Sequence, residues 1–193
     1  MRPMMTSLVA SPVAPRLSGL PPIIAGSTRL LILGSFPSVS SLARQQYYAH
    51  PSNRFWPILQ AIWPSIPMNT GVGSYEKRSD WLLERGLGLW DVYASCVRAG
   101  SLDAAIRQPV MNDFARLRSL CPQLRVIGYN GGESFRHARL VAASWSPAES
   151  QRQSATPLPL HRRLPSTSPA NASWRFERKL NAWRELVALA GLL

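Results

Sequence analysis

The chain has 193 residues, 46% of them hydrophobic, enough for one domain with a substantial core, and its 22 Lys and Arg against 10 Asp and Glu give a net charge of +12. That field favours a polyanionic partner over a neutral small molecule, although Lys77 and Lys179 are the only lysines and GC-rich codon usage is a competing source of the arginine excess. Cys96 and Cys121 stand alone, which argues against a structural zinc or a disulfide framework and fits a reducing, intracellular setting, and no apolar run reaches the roughly 18 residues of a spanning helix.

Residues 1 to about 26 are proline-rich without helical or alternating pattern and read as a loose arm, partly docked at Leu20 to Ile24. We place the domain boundary there, with 1–19 as arm and 20–193 as one domain. Arg29 to Leu33 is a continuous apolar run stopped by Gly34, the pattern of a strand buried on both faces. Asn53 to Ile62 has apolar residues at helical spacing, with Ser52 as its cap. After a Pro/Asn/Gly linker over 64–73, Tyr75 to Arg85 reads as a helix with Trp81, Leu82 and Leu83 inward, ended by Gly86. Gly88 to Tyr93 predicts one short strand interrupted by Asp91, followed by a Ser/Arg/Gly loop and a helix over Asn112 to Leu120. Leu124 to Tyr129 is a third strand, closed by Asn130-Gly131-Gly132 and followed by a helix from Glu133 to about Ala143. Residues 144–157 read as surface loop, Leu158 to Leu164 as an edge strand tolerant of Pro159, 164–171 as a rigid Pro/Ser/Thr loop, and Trp174 to Ala190 as a final amphipathic helix.

Strands alternating with helices imply a parallel sheet covered on both faces, and such sheets bind ligands beyond the carboxyl ends of their strands. The loops Ser35 to Ser41, Asp91 to Asp103, Asn130 to Gly132 and Pro165 to Asn171 all follow predicted strands, so one site assembled from four loops is expected.

The strings GSFPS, QYYAHPSNRFW, GLWDV with a downstream RAGSLDAAI, YNG, and LPSTSPAN before FERKLNAW span about Leu20 to the C-terminus. Together they resemble the DNA-deoxyinosine (hypoxanthine) glycosylase branch of the uracil-DNA glycosylase superfamily. The resemblance implies a three-layer α/β/α domain with a central four-stranded parallel sheet. It also implies hydrolysis of the bond between a deaminated base and deoxyribose, without metal or cofactor, leaving an abasic site.

Cleaving that bond builds positive, oxocarbenium-like charge on the sugar and negative charge on the departing base. Many superfamily members carry an Asp or Asn in the first loop to position water, whereas this loop, Gly34-Ser35-Phe36-Pro37-Ser38, has neither. The resemblance points to Asn53 as the compensating residue and to Asn130 as a second catalytic amide. An amide orients water or donates to developing charge but is no general base. Hypoxanthine sets its O6 acceptor beside the N1–H donor, uracil sets O4 beside N3–H in the same order, and adenine reverses the pattern. A fixed carboxamide thus accepts either oxo base and rejects adenine. Asn130 is assigned the base edge and Asn53 catalysis, or the reverse.

Phe36 is the candidate platform for a flipped base, or simply packs its loop; stacking is worth roughly 1–3 kcal/mol, comparable with the few that flipping costs. Gly34, Ser35, Pro37, Tyr48, His50 and Asp91 complete the expected base pocket, with His50 either a proton donor or a helix cap and Asp91 a partner for pocket amides or water. Ser38, Arg98, Ser101, Arg163, Pro165, Ser166, Thr167 and Ser168 are the expected DNA contacts, joined by Arg107 and His161. In other branches the final loop carries a His that bonds the base, and Leu164 stands in that place here.

The function expected is therefore a monofunctional glycosylase acting on double-stranded DNA that contains a deaminated base. It is expected to work as a monomer without cofactor, in the cytoplasm with the nucleoid and away from membranes. A uracil- or mismatch-specific glycosylase, a non-catalytic DNA-binding module on the same fold and a nucleoside hydrolase are the alternatives.

Overall fold

A computed structural model describes residues 15–69, 74–145 and 157–193. Among these, strands β2 (Leu30–Gly34), β3 (Leu87–Asp91), β6 (Val126–Asn130) and β7 (Leu160–Leu164) form a parallel sheet in the order β3–β2–β6–β7. The sheet is central because β2 is buried along its whole length. Its side chains alternate between two cores. Leu30 and Ile32 pack with Phe55, Ile58, Trp183 and Leu186, whereas Leu31 and Leu33 pack with Phe114, Leu117, Tyr129 and Val141.

Helices α2 (Phe55–Ile62), α3 (Ser74–Glu84) and α7 (Phe176–Leu189) supply the first core. Segments α4 (Leu117–Leu120) and α6 (Ala138–Ala143) supply the second. This is the expected α/β/α layering. Gly128 of β6 lets α7 approach: a Cβ there would lie 2.5 Å from Leu186 Cδ2 and 3.0 Å from Ile32 Cδ1. Gly128→Ala is expected to lower the unfolding free energy by about 1–3 kcal/mol, read from urea denaturation.

Several elements depart from the sequence expectation for identifiable reasons. The GLWDVY string holds the ends of two strands, since the chain leaves the parallel sheet after Asp91 and resumes as β4 (Tyr93–Val97), the middle strand of an antiparallel sheet between β1 (Arg16–Ser18) and β5 (Arg107–Met111). Two adjacent strands in different sheets give one apolar run in sequence. The break is stitched to the first loop by Val92 N–H to Gly34 O (2.8 Å) and Tyr93 N–H to Ser35 O (3.0 Å).

Strand β5 (Arg107–Met111) was hidden by Pro109 and by its exposure, both allowed at an edge. The helix expected over Asn112 to Leu120 shrinks to α4, because Asn112 Nδ2 bonds Asp91 O (2.9 Å) and Asp113 Oδ1 accepts Ala115 N–H (3.0 Å), local bonds that compete with a helix. The helix expected from Glu133 divides into α5 (Gly132–Phe135) and α6.

Within the expected arm, Arg16–Ser18 is strand β1, paired with β4. Leu20 is buried and Ile23 bridges to Leu89, as the docking at Leu20 to Ile24 anticipated. Residues 1–14, 70–73 and 146–156 of the expected arm, linker and surface loop lie outside the described residues.

Candidate active site

The carboxyl ends of β2, β3, β6 and β7 open into a cavity of about 850 Å³. Residues of all four predicted loops line it, together with Tyr47, Tyr48 and Asn53.

The first loop is a shelf. Ser38 Oγ accepts Ser41 N–H (3.1 Å), capping the short helix α1 (Val39–Arg44), and Ser35 Oγ donates to Asp103 Oδ1 (2.6 Å). Ser101 Oγ accepts Val39 N–H (3.0 Å), so the 98–103 loop is tied to the shelf from outside. Arg98, expected to meet phosphate, is instead buried beneath it, donating to Pro37 O with its guanidinium 5.0 Å from the Phe36 ring. The carbonyl and ring face of the shelf meet part of what a buried guanidinium requires, while Arg98 Nε and Nη1 are buried without a hydrogen-bond partner. Phe36 remains part of the cavity wall although only 7% exposed.

The segment after α1 brings Tyr48 inward. Tyr47 is pinned by its N–H to Tyr75 Oη (2.8 Å) and its carbonyl to Trp56 Nε1 (3.2 Å). Tyr48 then takes φ +55°, a left-handed conformation costing on the order of 1 kcal/mol or more for a bulky residue, and stacks on Phe55 at 4.0 Å and 20°. His50 is exposed and off the cavity lining, with Nδ1 accepting Ser52 N–H (3.2 Å) in a local turn, so it neither lines the expected base pocket nor caps the following helix. Ser52 does not cap α2, whose N-cap position is Arg54 and carries no side-chain cap bond. Asn53, one residue earlier, has its Oδ1 accepting Phe55 N–H (3.0 Å) in a local turn at the helix entrance. That bond occupies the oxygen of the Asn53 amide and leaves its Nδ2 as the cavity-side donor.

Asn130, at the end of β6, is clamped by Thr167. Its Oδ1 accepts Thr167 N–H and its Nδ2 donates to Thr167 Oγ1, both at 2.9 Å. Because only the oxygen can take a backbone N–H, the amide cannot flip. The same clamp consumes its adjacent donor and acceptor, the pair assigned above to the base edge, and leaves one N–H and one lone pair. Thr167 is fully buried, which removes it from the expected phosphate contacts, and its carbonyl accepts Arg54 N–H (3.0 Å). One threonine thus joins the Asn53 segment, Asn130 and the final loop.

That loop is braced internally by Ser168 N–H to Ser166 Oγ (3.2 Å) and Asn171 Nδ2 to Ser166 O (3.1 Å), with buried Lys179 donating to Asn171 O (2.8 Å). Arg163, Pro165, Ser166 and Ser168, expected as DNA contacts, line the cavity, joined by Asn171 and the exposed Leu102 from the expected loops and by Trp174, which the sequence reading did not place there. Trp174 reads in sequence as a core position of the last helix, and nothing local distinguishes it.

Asp91 ends β3 on the cavity floor, fully buried, with Oδ2 lacking any hydrogen-bond partner. Burial pushes its carboxyl up to about 7, Asp103 adding to the shift and Arg98 opposing it. Burial and then Asp91 raise the Tyr48 phenol; the Asn130 side chain is near enough to offset part of this without meeting hydrogen-bond geometry, so Tyr48 Oη also stands unpartnered. Among the described residues no group of His, Cys, Asp and Glu is arranged to hold a metal ion.

The site is thus a shelf with an aromatic wall, two amides and a polar floor at the strand ends. Residues 21–187 match the family model described as the uracil DNA glycosylase superfamily. The chain belongs to this superfamily. A protein named hypoxanthine DNA glycosylase from Methanosarcina acetivorans is 37% identical over 123 residues, covering 64% of this chain and 76% of that protein. One of the same name from Methanosarcina barkeri is 35% identical over 125 residues, 65% of this chain and 77% of that protein. The solution NMR structure of a candidate uracil DNA glycosylase from Methanosarcina acetivorans superposes with a TM-score of 0.73 at 30% identity, covering 91% of this chain and 99% of that one. The parallel sheet and its flanking helices are those of this superfamily, whose members act on DNA.

Proposed function

We propose that the protein removes hypoxanthine from deoxyinosine in double-stranded DNA by hydrolysis of the N-glycosidic bond, acting as a monomer in the cytoplasm, where the nucleoid lies. The observation that carries this reading is the strand-end cavity with Phe36 on its wall and fixed amides from two loops, in a chain whose first loop lacks a water-positioning carboxylate or amide. The two relatives named for hypoxanthine support it.

In this reading the flipped base slides along Phe36. Asn53 Nδ2 donates to charge appearing on the departing base or to the attacking water, its geometry held by the Asn53 Oδ1 to Phe55 N–H bond. Asn130 adds its remaining N–H. Ser38, Ser101, Arg163, Ser166 and Ser168, at the rim, contact backbone phosphates, and the net charge of +12 draws the duplex in. The charge also weighs against a free nucleoside as substrate. Uracil, which presents the same edge order, is the second substrate to test.

Inosine and uracil duplexes incubated with the protein and treated with alkali should show strand scission at the lesion, fastest for inosine. Asn53→Ala is expected to lower the single-turnover rate about a hundredfold. Binding without scission would make the protein a DNA-binding module instead, and wild-type rates in both Asn53→Ala and Asn130→Ala would remove the amides from catalysis.

A further inference from the structure

The clamp on Asn130 leaves the edge of the base without an obvious reader. Among the described residues, only two side-chain atoms that line the cavity are buried without a hydrogen-bond partner: Asp91 Oδ2 and Tyr48 Oη. They come from different elements, the end of β3 and the turn after α1, yet the Asp91 carboxyl and the Tyr48 hydroxyl both reach the space above Gly34. A Cβ placed on Gly34 would overlap the other carboxyl oxygen, Asp91 Oδ1, and lie 3.5 Å from Tyr48 Oη. Gly34 pairs in register with Asp91 across the sheet, so the missing side chain makes room for both polar groups. Tyr48 reaches this point only through its left-handed backbone, which the bonds on Tyr47 enforce. Strain and two stranded polar atoms at one place on a cavity floor are what a structure shows when the partner is a ligand.

The depth of these groups identifies the part of the ligand they meet. A nucleotide enters with its sugar at the mouth, so the edge opposite the glycosidic bond faces the floor. In a 6-oxopurine that edge carries a ring N–H donor beside an exocyclic oxygen acceptor, and a carboxyl oxygen and a phenolic hydroxyl are their complements. We propose that Asp91 and Tyr48 are the specificity pair of the site, Asp91 Oδ2 accepting the ring N–H of the flipped oxo base and Tyr48 Oη donating to its exocyclic oxygen. The Tyr48 hydrogen bond strengthens as negative charge spreads onto that oxygen during departure of the base. Adenine turns a lone pair toward the carboxyl oxygen and fails the first contact whenever the carboxyl is ionised.

The inference rests on the reading above, and the experiment separates the two. Duplexes carrying non-cleavable 2′-fluoroarabino inosine are compared with duplexes carrying the 2′-fluoroarabino nucleoside of unsubstituted purine, which lacks both the N1–H and O6. The wild type is expected to prefer the first by about tenfold or more, and Tyr48→Phe and Asp91→Ala each to remove most of that preference while general duplex affinity persists. Asp91→Asn, which keeps an acceptor oxygen and the side-chain shape, is expected to restore part of it, and it replaces the Ala variant if that fails to fold. An unchanged preference in Tyr48→Phe and in the Asp91 variant overturns the pair, as does a wild type that binds the two duplexes equally. Failure of the wild type to excise hypoxanthine from an ordinary inosine duplex overturns the activity instead, and leaves the binding comparison to judge the pair.

Discussion

Asn130→Ala is expected to reduce single-turnover excision from an inosine duplex to about 1% of wild type or less, and to destabilise the protein at the same time. The two effects share a cause. The Asn130 amide satisfies both the N–H and the hydroxyl oxygen of Thr167, a residue with no exposed surface, and the alanine would strand both. Leaving a buried polar group unpaired costs about 1–3 kcal/mol. The damage would also spread, because Thr167 O holds Arg54 N–H and thereby the backbone beside Asn53. Thr167→Val, which keeps the N–H bond and loses only the hydroxyl, should give the milder loss of both stability and rate. Thermal melting and single-turnover kinetics on the two variants check this; a stable Asn130→Ala with wild-type rate would show that the clamp does neither job.

The second large effect concerns pH. Asp91 has a folded-state pKa of about 7 against an ordinary 3.8. The native state therefore binds more protons than the unfolded state between these values, and stability falls as pH rises through that window. The difference between these two values corresponds to an upper figure of about 4 kcal/mol, fully present below pH 4 and lost above about pH 7. Burial sets the shift first, then the Asp103 carboxylate adds to it and Arg98 opposes it, while the nearby Tyr47, Tyr48 and Tyr75 phenols are themselves raised by Asp91. Asp91→Asn removes the ionisation, so it should melt higher than wild type at pH 8, and the difference should shrink toward pH 5. A melting difference that does not change with pH would mean the carboxyl ionises as it would in water.

The sheet and its layers were legible in the residues themselves. The LLIL run of β2, the apolar run before Asn130, Gly86 at the end of α3 and the amphipathic α7 each carry a local signal that burial on a face produces in sequence. The rule that loops follow strands to one edge then collected four loops into one site, and the cavity is lined by those loops. Less legible was the path between Asp91 and Phe114, because β4 and β5 are edge or second-sheet strands whose pattern merges with their neighbours or is broken by Pro109.

Which side chains lie together, and what each has left to offer, is a matter of the tertiary structure. Residue type alone marked Arg98 and Thr167 as phosphate ligands and His50 as a pocket group. Packing turned Arg98 under the Phe36 shelf, spent Thr167 on Asn130, and set His50 in an exposed turn. The amide of Asn130 is a donor–acceptor pair in any sequence; only its contact with Thr167 determines that the pair is already used. Nor does Asp91 differ in sequence from any aspartate after a short strand. Its isolation on the floor beside Tyr48 follows from the register Gly34–Asp91 and from a backbone turned left-handed 14 positions after Gly34, between residues whose neighbours in space are set by the closed fold. Hydrophobic periodicity is a local property and survives in the chain. Hydrogen-bond satisfaction is a property of the partners, and partners 37 positions apart, such as Asn130 and Thr167, meet only when the chain has folded.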